Sequence, residues 1–306
     1  MSIRTNRERL IRMSILGQIV SPRFPGLPAN PHVIDRSGKP VLVPQWGGIV
    51  YNVRTGDPAF GWVGDNIEPG VAIKNREDGP NHALNVFACV GNTAKVMSGG
   101  ARGEKGIVTG KSGRFAEHVI VDFPPETLEQ LAPDDQIQVQ TYGRGLELLD
   151  HPDVMCKAVA PDLLSAMDLR TTPDGALEVP VVATVQPERV GAGAGLDNEG
   201  GALSIQGGSR EEMAAIGIAD LRLGDLVAFT DYDSTYGHGY LKGGCSIGVV
   251  GHTDSVRAGF GPGVTVLLAT RVPALVPRID PAANVANYLA FPRLTLRDLA
   301  TAAGGE

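Results

Sequence analysis

The sequence predicts an α+β protein that is mostly β, built as two packed β-rich units (small barrels or sandwiches) with a few short helices. Three observations predict it. Gly accounts for 40 of 306 residues and Pro for 22, spread along the whole chain, a distribution that suits short strands joined by tight turns better than long helices. Apolar runs rich in Val and Ile recur between those turn residues at strand length. Hydrophobic residues make up 42% and charged residues 20%, enough to build a real core. The length exceeds an ordinary small domain, and the polar stretch TTPDGALEVP (171–180) is the best boundary, giving units 1–170 and 171–306.

In chain order, residues 4–16 are expected as a short helix with Leu10, Ile11 and Ile15 on one side, and 22–44 as a Pro-rich loop. VLVPQWGGIVYNV (41–53) gives strand, turn and strand about Gly47-Gly48, and GWVGDNIEPGVAIKN (61–75) a turn at Pro69-Gly70 before another strand. NHALNVFACVGNTAKVM (81–97) alternates at Ala83, Asn85, Phe87 and Cys89 as a half-buried strand would. GIVTGKSG and EHVIVDF (within 98–124) look like two strands of a small barrel, and PETLEQL (125–131) a short helix with Pro at its start. Residues 133–149 read as turn, strand and turn, and DLLSAM (162–167) as a helical turn.

The second unit opens with the buried strand VPVVATVQ (179–186), followed by the Gly-rich loop 191–209 and a helix over 209–217 with Ser209 as N-cap. Leu223 to Leu268 is the central β stretch. A Pro-broken strand follows at 269–281, then ANVANYLA (283–290) and a helix from Thr295 that frays at Gly304.

Net charge is −7. With no basic face to neutralise phosphates, nucleic acid is not an expected partner. Cys89, Cys156 and Cys245 are odd in number and form no CxxC pair, which suits a reducing compartment. No window approaches a membrane span, and the N-terminus carries no signal-peptide cleavage pattern. A cytoplasmic homo-oligomer acting on a small molecule is the expectation. GAGAG (191–195) lacks the spacing and the βαβ context of a phosphate or dinucleotide fingerprint, so no nucleotide cofactor is expected.

The candidate site lies in the central stretch, which holds three of the six Tyr, two of the six His and several acidic residues. Asp231, Asp233, His238 and His252, converging at one sheet edge, would suit a divalent metal, Zn or Mn. Such a metal lowers the pKa of bound water and makes hydroxide available for hydrolase or lyase chemistry. His252 and Asp254 are two apart and share a side of an extended segment, as acid and base. Tyr236 and Lys242 would orient and neutralise substrate. Cys245, three residues after Lys242, would be a thiolate nucleophile with His238 or His252 as base. Turn chemistry for the Asp and His residues and a metal-free polar pocket stand beside these readings. GFGPGVT (259–265) fixes a tight turn whose N–H groups can cradle a carboxylate. Glu117, His118 and Asp122, with Asp65, His82 and Asn85, form a second, weaker set that can reach a cleft between the units.

Two blocks carry a resemblance. NIEPGVAIKN through SGGARGEKGIVTGKSG to EHVIVDF and GRGLELLDHPDV is the first, and GIADLRLGDLVAFTDYDSTYGHGY through IGVVGHTDSVRAGFGPGVTVLL the second. Both resemble the DUF4438 family, an uncharacterised one that brings no activity with it. The chain is also similar to the acetamidase/formamidase family of β-rich, metal-dependent amide hydrolases. GGALSIQ (200–206) echoes its GG-N-x-D-I segment, with Ala202 at the Asn and Ser204 at the Asp, and DYDSTYGHGYLKGG shares its Asp, Gly and His content. That likeness implies β architecture and, as an expectation, amide hydrolysis. The leading expectation is a metal-assisted hydrolase or lyase on an amide or carboxylate. A metal-free acid/base isomerase or cyclase using His252 and Tyr236, and a non-catalytic ligand-binding or scaffold protein, are the alternatives.

Overall fold

A computed structural model describes residues 3–22, 31–113, 117–192, 199–207 and 210–289. The first unit is a closed six-stranded antiparallel barrel. Its strands are β1 (Met13–Ile19), β2 (Gly70–Lys74), β3 (Thr93–Val96), β4 (Lys105–Ser112), β5 (His118–Asp122) and β6 (Gln136–Thr141). They run β1-β6-β3-β4-β5-β2, and β2 pairs back onto β1 at Gln18↔Lys74 and Ile19↔Ile73. Closure leaves no open edge among the six, which removes the template for strand-by-strand association. Ile19, Val71, Ile73, Val96, Val108, Val119, Val121, Ile137 and Val139 belong to one buried cluster of the barrel.

The central β stretch forms a second sheet of β8 (Ala183–Val185), β9 (Leu226–Asp233), β10 (Gly239–His252) and β11 (Gly263–Thr270), with Met155–Cys156 on the outer side of β11. Both faces are buried. Along β9, Leu226 and Ala228 enter one core and Val227 and Phe229 the other, the two-residue alternation of a strand. One core is completed by Leu146, Leu148, Val154 and Leu163, and by β7 (Leu177–Val181), which pairs in parallel with β12 (Leu275–Ile279). The other is completed by Val53, Ala59, Phe60 and Ile67 from the first half of the chain. No helix among the described residues is long and apolar enough to cross a membrane.

The barrel and the sheet meet backbone to backbone. Register shifts fall between Val108 and Gly110 on β4 and between Val250 and His252 on β10, and a Cβ on Gly110 would stand 3.0 Å from the Gly251 Cα. The Lys111 N–H donates to Thr265 Oγ1 at 2.8 Å across the same seam.

Most elements fall where the sequence puts them, with two corrections. Residues 4–16 are not a helix: a single 3-10 turn at Arg7–Arg9 is followed by β1. The barrel needs a strand between β6 and β2, and the ladder formed with β6 outweighs the helical apolar spacing. Residues 81–97 are not one strand: Asp78–Phe87 is a helix, α1, and β3 follows it. Asn81, Leu84 and Asn85 are its buried positions, with Ala88 buried just past its end, a helical spacing that the alternation at Ala83, Asn85 and Phe87 mimics. The expected helix from Thr295 and the Ser209 cap lie outside the described residues.

Candidate functional site

The eight residues expected to form the site are divided along β10. This strand has 14 residues, so its ends stand up to roughly 40 Å apart. Asp231, Asp233, Tyr236, His238 and Lys242 lie toward one end, Cys245 midway along the strand, and His252 and Asp254 at or just past the other end. The expected convergence is therefore corrected. Among the described residues no three His, Cys, Asp or Glu side chains stand together as a metal-binding group.

Each residue of the first group has a local task. Asp231 adopts φ 52° at the register shift in β9, and its Oδ1 accepts from the Gly243 N–H at 2.7 Å. Asp233 Oδ1 accepts from the Thr235 N–H at 2.8 Å and its hydroxyl at 2.6 Å, as an Asx turn does, and the carboxylate pairs with Arg271 at 3.2 Å. The His238 ring stacks on Tyr232, and its Nδ1 lies 3.1 Å from Ser234 Oγ. Tyr236 and Lys242 are exposed at the hairpin tip. Burial, aided by Asp231, pushes the Cys245 thiol up to about 12, so the thiolate that nucleophilic attack needs is absent at neutral pH.

A different set surrounds a cavity of about 260 Å³ at the junction of the two units. Trp46, Asn66, Ser112, Gly113 and Glu117 line it from the barrel side, and Ala192, Ala202, Ser204, His252, Arg257 and Phe260 from the sheet side. Ser112 closes β4, and its hydroxyl donates to Glu68 Oε1. Glu68 is buried in the Asn-Ile-Glu-Pro-Gly turn ahead of β2. It also accepts from the Gly47 N–H at 2.7 Å and faces His118 Nδ1 at 3.0 and 3.1 Å. Three groups thus fix one buried carboxylate, and two donors in good geometry are what make a buried charge tolerable. A proton on His118 Nδ1 shared with Glu68 fixes that ring's tautomer, as a carboxylate does for a working imidazole. The Trp46 ring lies 5.2 Å from His118 and joins it to the cavity wall.

His252 ends β10 and reaches the cavity from the sheet side. Its Nδ1 is 3.0 Å from Thr253 O. A proton donated there leaves the lone pair on Nε2. Burial lowers the His252 pKa, against the Thr253 carbonyl and the more distant Glu68 and Asp65, which raise it. The ring fits because Gly263 faces it: a Cβ there would stand 1.8 Å from Nε2. Asn66, at φ 54°, places its amide 3.3 Å from His252 Nδ1 and donates to Phe260 O at 2.5 Å.

The Arg257 guanidinium lies 4.5 Å over the Phe260 ring and 3.7 Å from Asp65. Its Nε is buried with no hydrogen-bond partner. Asp65 is otherwise committed to the Ser255 hydroxyl and to the Val256 N–H at 3.1 Å. Asp254 does not accompany His252: it turns to Arg36 at 2.8 Å and lines a separate cavity with Phe60 and Arg210. Burial raises its pKa. His82 is exposed on α1, Asn85 is buried within that helix, and Asp122 is buried at the end of β5.

His118 and Glu117 belong to the weaker set of the sequence analysis, and His252 to the stronger. Glu68, Ser112, Asn66 and Arg257 were missed. An acidic residue inside NIEPGVAI, where the neighbours are apolar or turn-forming, was the available signal for Glu68. Nothing local marks Ser112, which reads as a hairpin-turn serine.

Comparison with known proteins gives a family and a similar solved structure. The family model described as "Domain of unknown function (DUF4438), N-terminal" matches residues 32–165, and its C-terminal counterpart matches 166–289. The crystal structure of TM1086 is similar over 95% of this chain and 100% of its own, with 39% identity and a TM-score of 0.89. None of the curated proteins matches. Matched from residue 32 to 289 by both halves in order, the chain belongs to the DUF4438 family.

Proposed function

We propose that the cavity between barrel and sheet is the active site of a small-molecule hydrolase or lyase that works by acid–base chemistry on a carboxylate-bearing substrate. One observation carries the reading: a hydroxyl at the cavity wall, Ser112, is hydrogen-bonded to a buried carboxylate that a His and a backbone N–H fix in place. Glu68 is positioned to take the Ser112 proton as Oγ engages a substrate carbonyl. His252, kept neutral by burial, offers Nε2 as the base for water or for a substrate proton. Arg257, with an N–H to spare, neutralises the substrate carboxylate. The cavity volume of about 260 Å³ suits a molecule smaller than most drugs.

The test is a turnover screen of small amides and carboxylic acids by NMR, followed by Ser112→Ala and His252→Gln. Loss of about a hundredfold or more in kcat/KM in each, with the fold kept, is the expected result. A ligand that binds the cavity without turnover, equally well in both variants, would make the chain a binding protein and overturn the catalytic reading.

A further inference from the structure

Away from the cavity, three cations converge on Glu199, two of them on its carboxylate and one on its backbone carbonyl. Lys111 follows Gly110 on β4 and points to the opposite side from Ser112. It is fully buried, and its Nζ donates to Glu199 O at 2.9 Å. Lys157, also buried, lies 2.6 Å from Glu199 Oε1 and donates to Ser234 O at 2.6 Å and Thr235 O at 2.8 Å. Arg144, just past β6, grips Glu199 Oε2 with Nη1 and Glu199 O with Nη2 at 3.0 Å. The three cations come from positions 111, 144 and 157, and Glu199 from a later part of the chain. The carboxylate comes from a glycine-rich connection, with Gly200 and Gly201 directly after it.

Buried lysines are expensive, since desolvation disfavours their charge, and burial does lower the Lys157 pKa. Two of them beside an arginine make a basket whose chemistry is that of an oxyanion receptor: a guanidinium fork for two oxygens and ammonium point charges for the rest. The Glu199 carboxylate occupies it as a bound anion would. Arg144 and Lys157 hold the carboxylate side chain to side chain, and Lys111 and Arg144 hold the Glu199 carbonyl in place of a strand ladder.

We propose that Lys111, Arg144 and Lys157 form a binding site for a small oxyanion carrying two negative charges, which Glu199 fills when that anion is absent. The site is distinct from the cavity, none of whose lining residues it uses. An external anion competes with the Glu199 side chain, so it binds weakly to the wild type and more tightly once that carboxylate is neutralised.

The test is titration of wild type and Glu199→Gln with inorganic phosphate and, separately, malonate. Melting temperature and isothermal calorimetry are the readouts, with sodium chloride at matched ionic strength as control. The expected result is about tenfold or more tighter binding in E199Q, abolished in the double variant E199Q/R144M. Phosphate alone or malonate alone identifies which oxyanion geometry the basket takes. Should E199Q fail to fold, Glu199→Asp, which retracts the carboxylate by one methylene, is read the same way. No gain over wild type with either anion, in whichever variant folds, would overturn the proposal and leave the cluster as a structural ion-pair network.

Discussion

Position 263 must be glycine because the His252 ring fills the space its Cβ would need. Gly263→Ala would place a methyl 1.8 Å from Nε2, so the ring must leave the cavity or β11 must shift. The expected cost is about 1–3 kcal/mol of stability, by thermal or urea unfolding, together with loss of any activity that needs His252. The same residue sets a pH dependence. Its folded pKa is lowered by burial, so the unfolded chain takes up the proton first as pH falls. The stability is fully present above the ordinary His value of about 6.5 and is lost as pH drops through it. His252→Gln is expected to flatten that limb of a stability-versus-pH curve. The buried carboxylates Asp122 and Asp225 and the half-buried Asp254 have raised pKa values, with burial the leading cause in each. They contribute the opposite slope, with stability lost as pH rises from the ordinary carboxylate range of about 4. The three thiols make a third residue-scale prediction. Burial pushes Cys156 and Cys245 up to about 12 and raises Cys89. A thiol reagent such as Ellman's should therefore react slowly with native protein at pH 8, and with all three cysteines after unfolding.

At the scale of elements, the long hairpin of β9 and β10 explains both what the sequence revealed and what it concealed. The alternation of Leu226, Val227, Ala228 and Phe229, and the Val- and Ile-rich runs of β10 and β11, were legible because a strand buried on both faces has little choice of residue. The density of Asp, His and Tyr in the connection was equally visible, but it reflects a hairpin end whose carboxylates cap turns. Whether two residues twelve or twenty positions apart meet depends on where the strand between them bends, and no local pattern states that. His118 was in view as a strand histidine, while its partner Glu68 sits 50 residues earlier in the chain and meets it because β2 and β5 pair in the barrel. The hairpin tip yields a prediction. Tyr236→Ala and Lys242→Ala alter exposed side chains remote from the cavity. They should change stability by less than about 0.5 kcal/mol and leave kcat/KM at the cavity unchanged, read by unfolding and by the turnover assay.

At the scale of the whole molecule, the two units share their interior. Cys89, Val90, Leu146 and Leu163 from the first family region lie in one core with Leu226, Ile247 and Leu268 from the second, and Val53 and Phe60 join Val227 and Phe229. Unfolding is expected to be one cooperative transition, with calorimetric and van't Hoff enthalpies equal. Gly110→Val, which drives a branched side chain at the Gly251 backbone, is expected to cost about 1–3 kcal/mol.

That glycine-on-glycine seam has a consequence for recognition. Barrel and sheet are clasped at a point where neither backbone has a side chain to yield, and the chamber between them inherits the rigidity of the clasp. Under the proposed function, a guest one methylene too large would be turned away by the chamber wall, and one lacking an acid group would leave Arg257 to Asp65 and Phe260 alone.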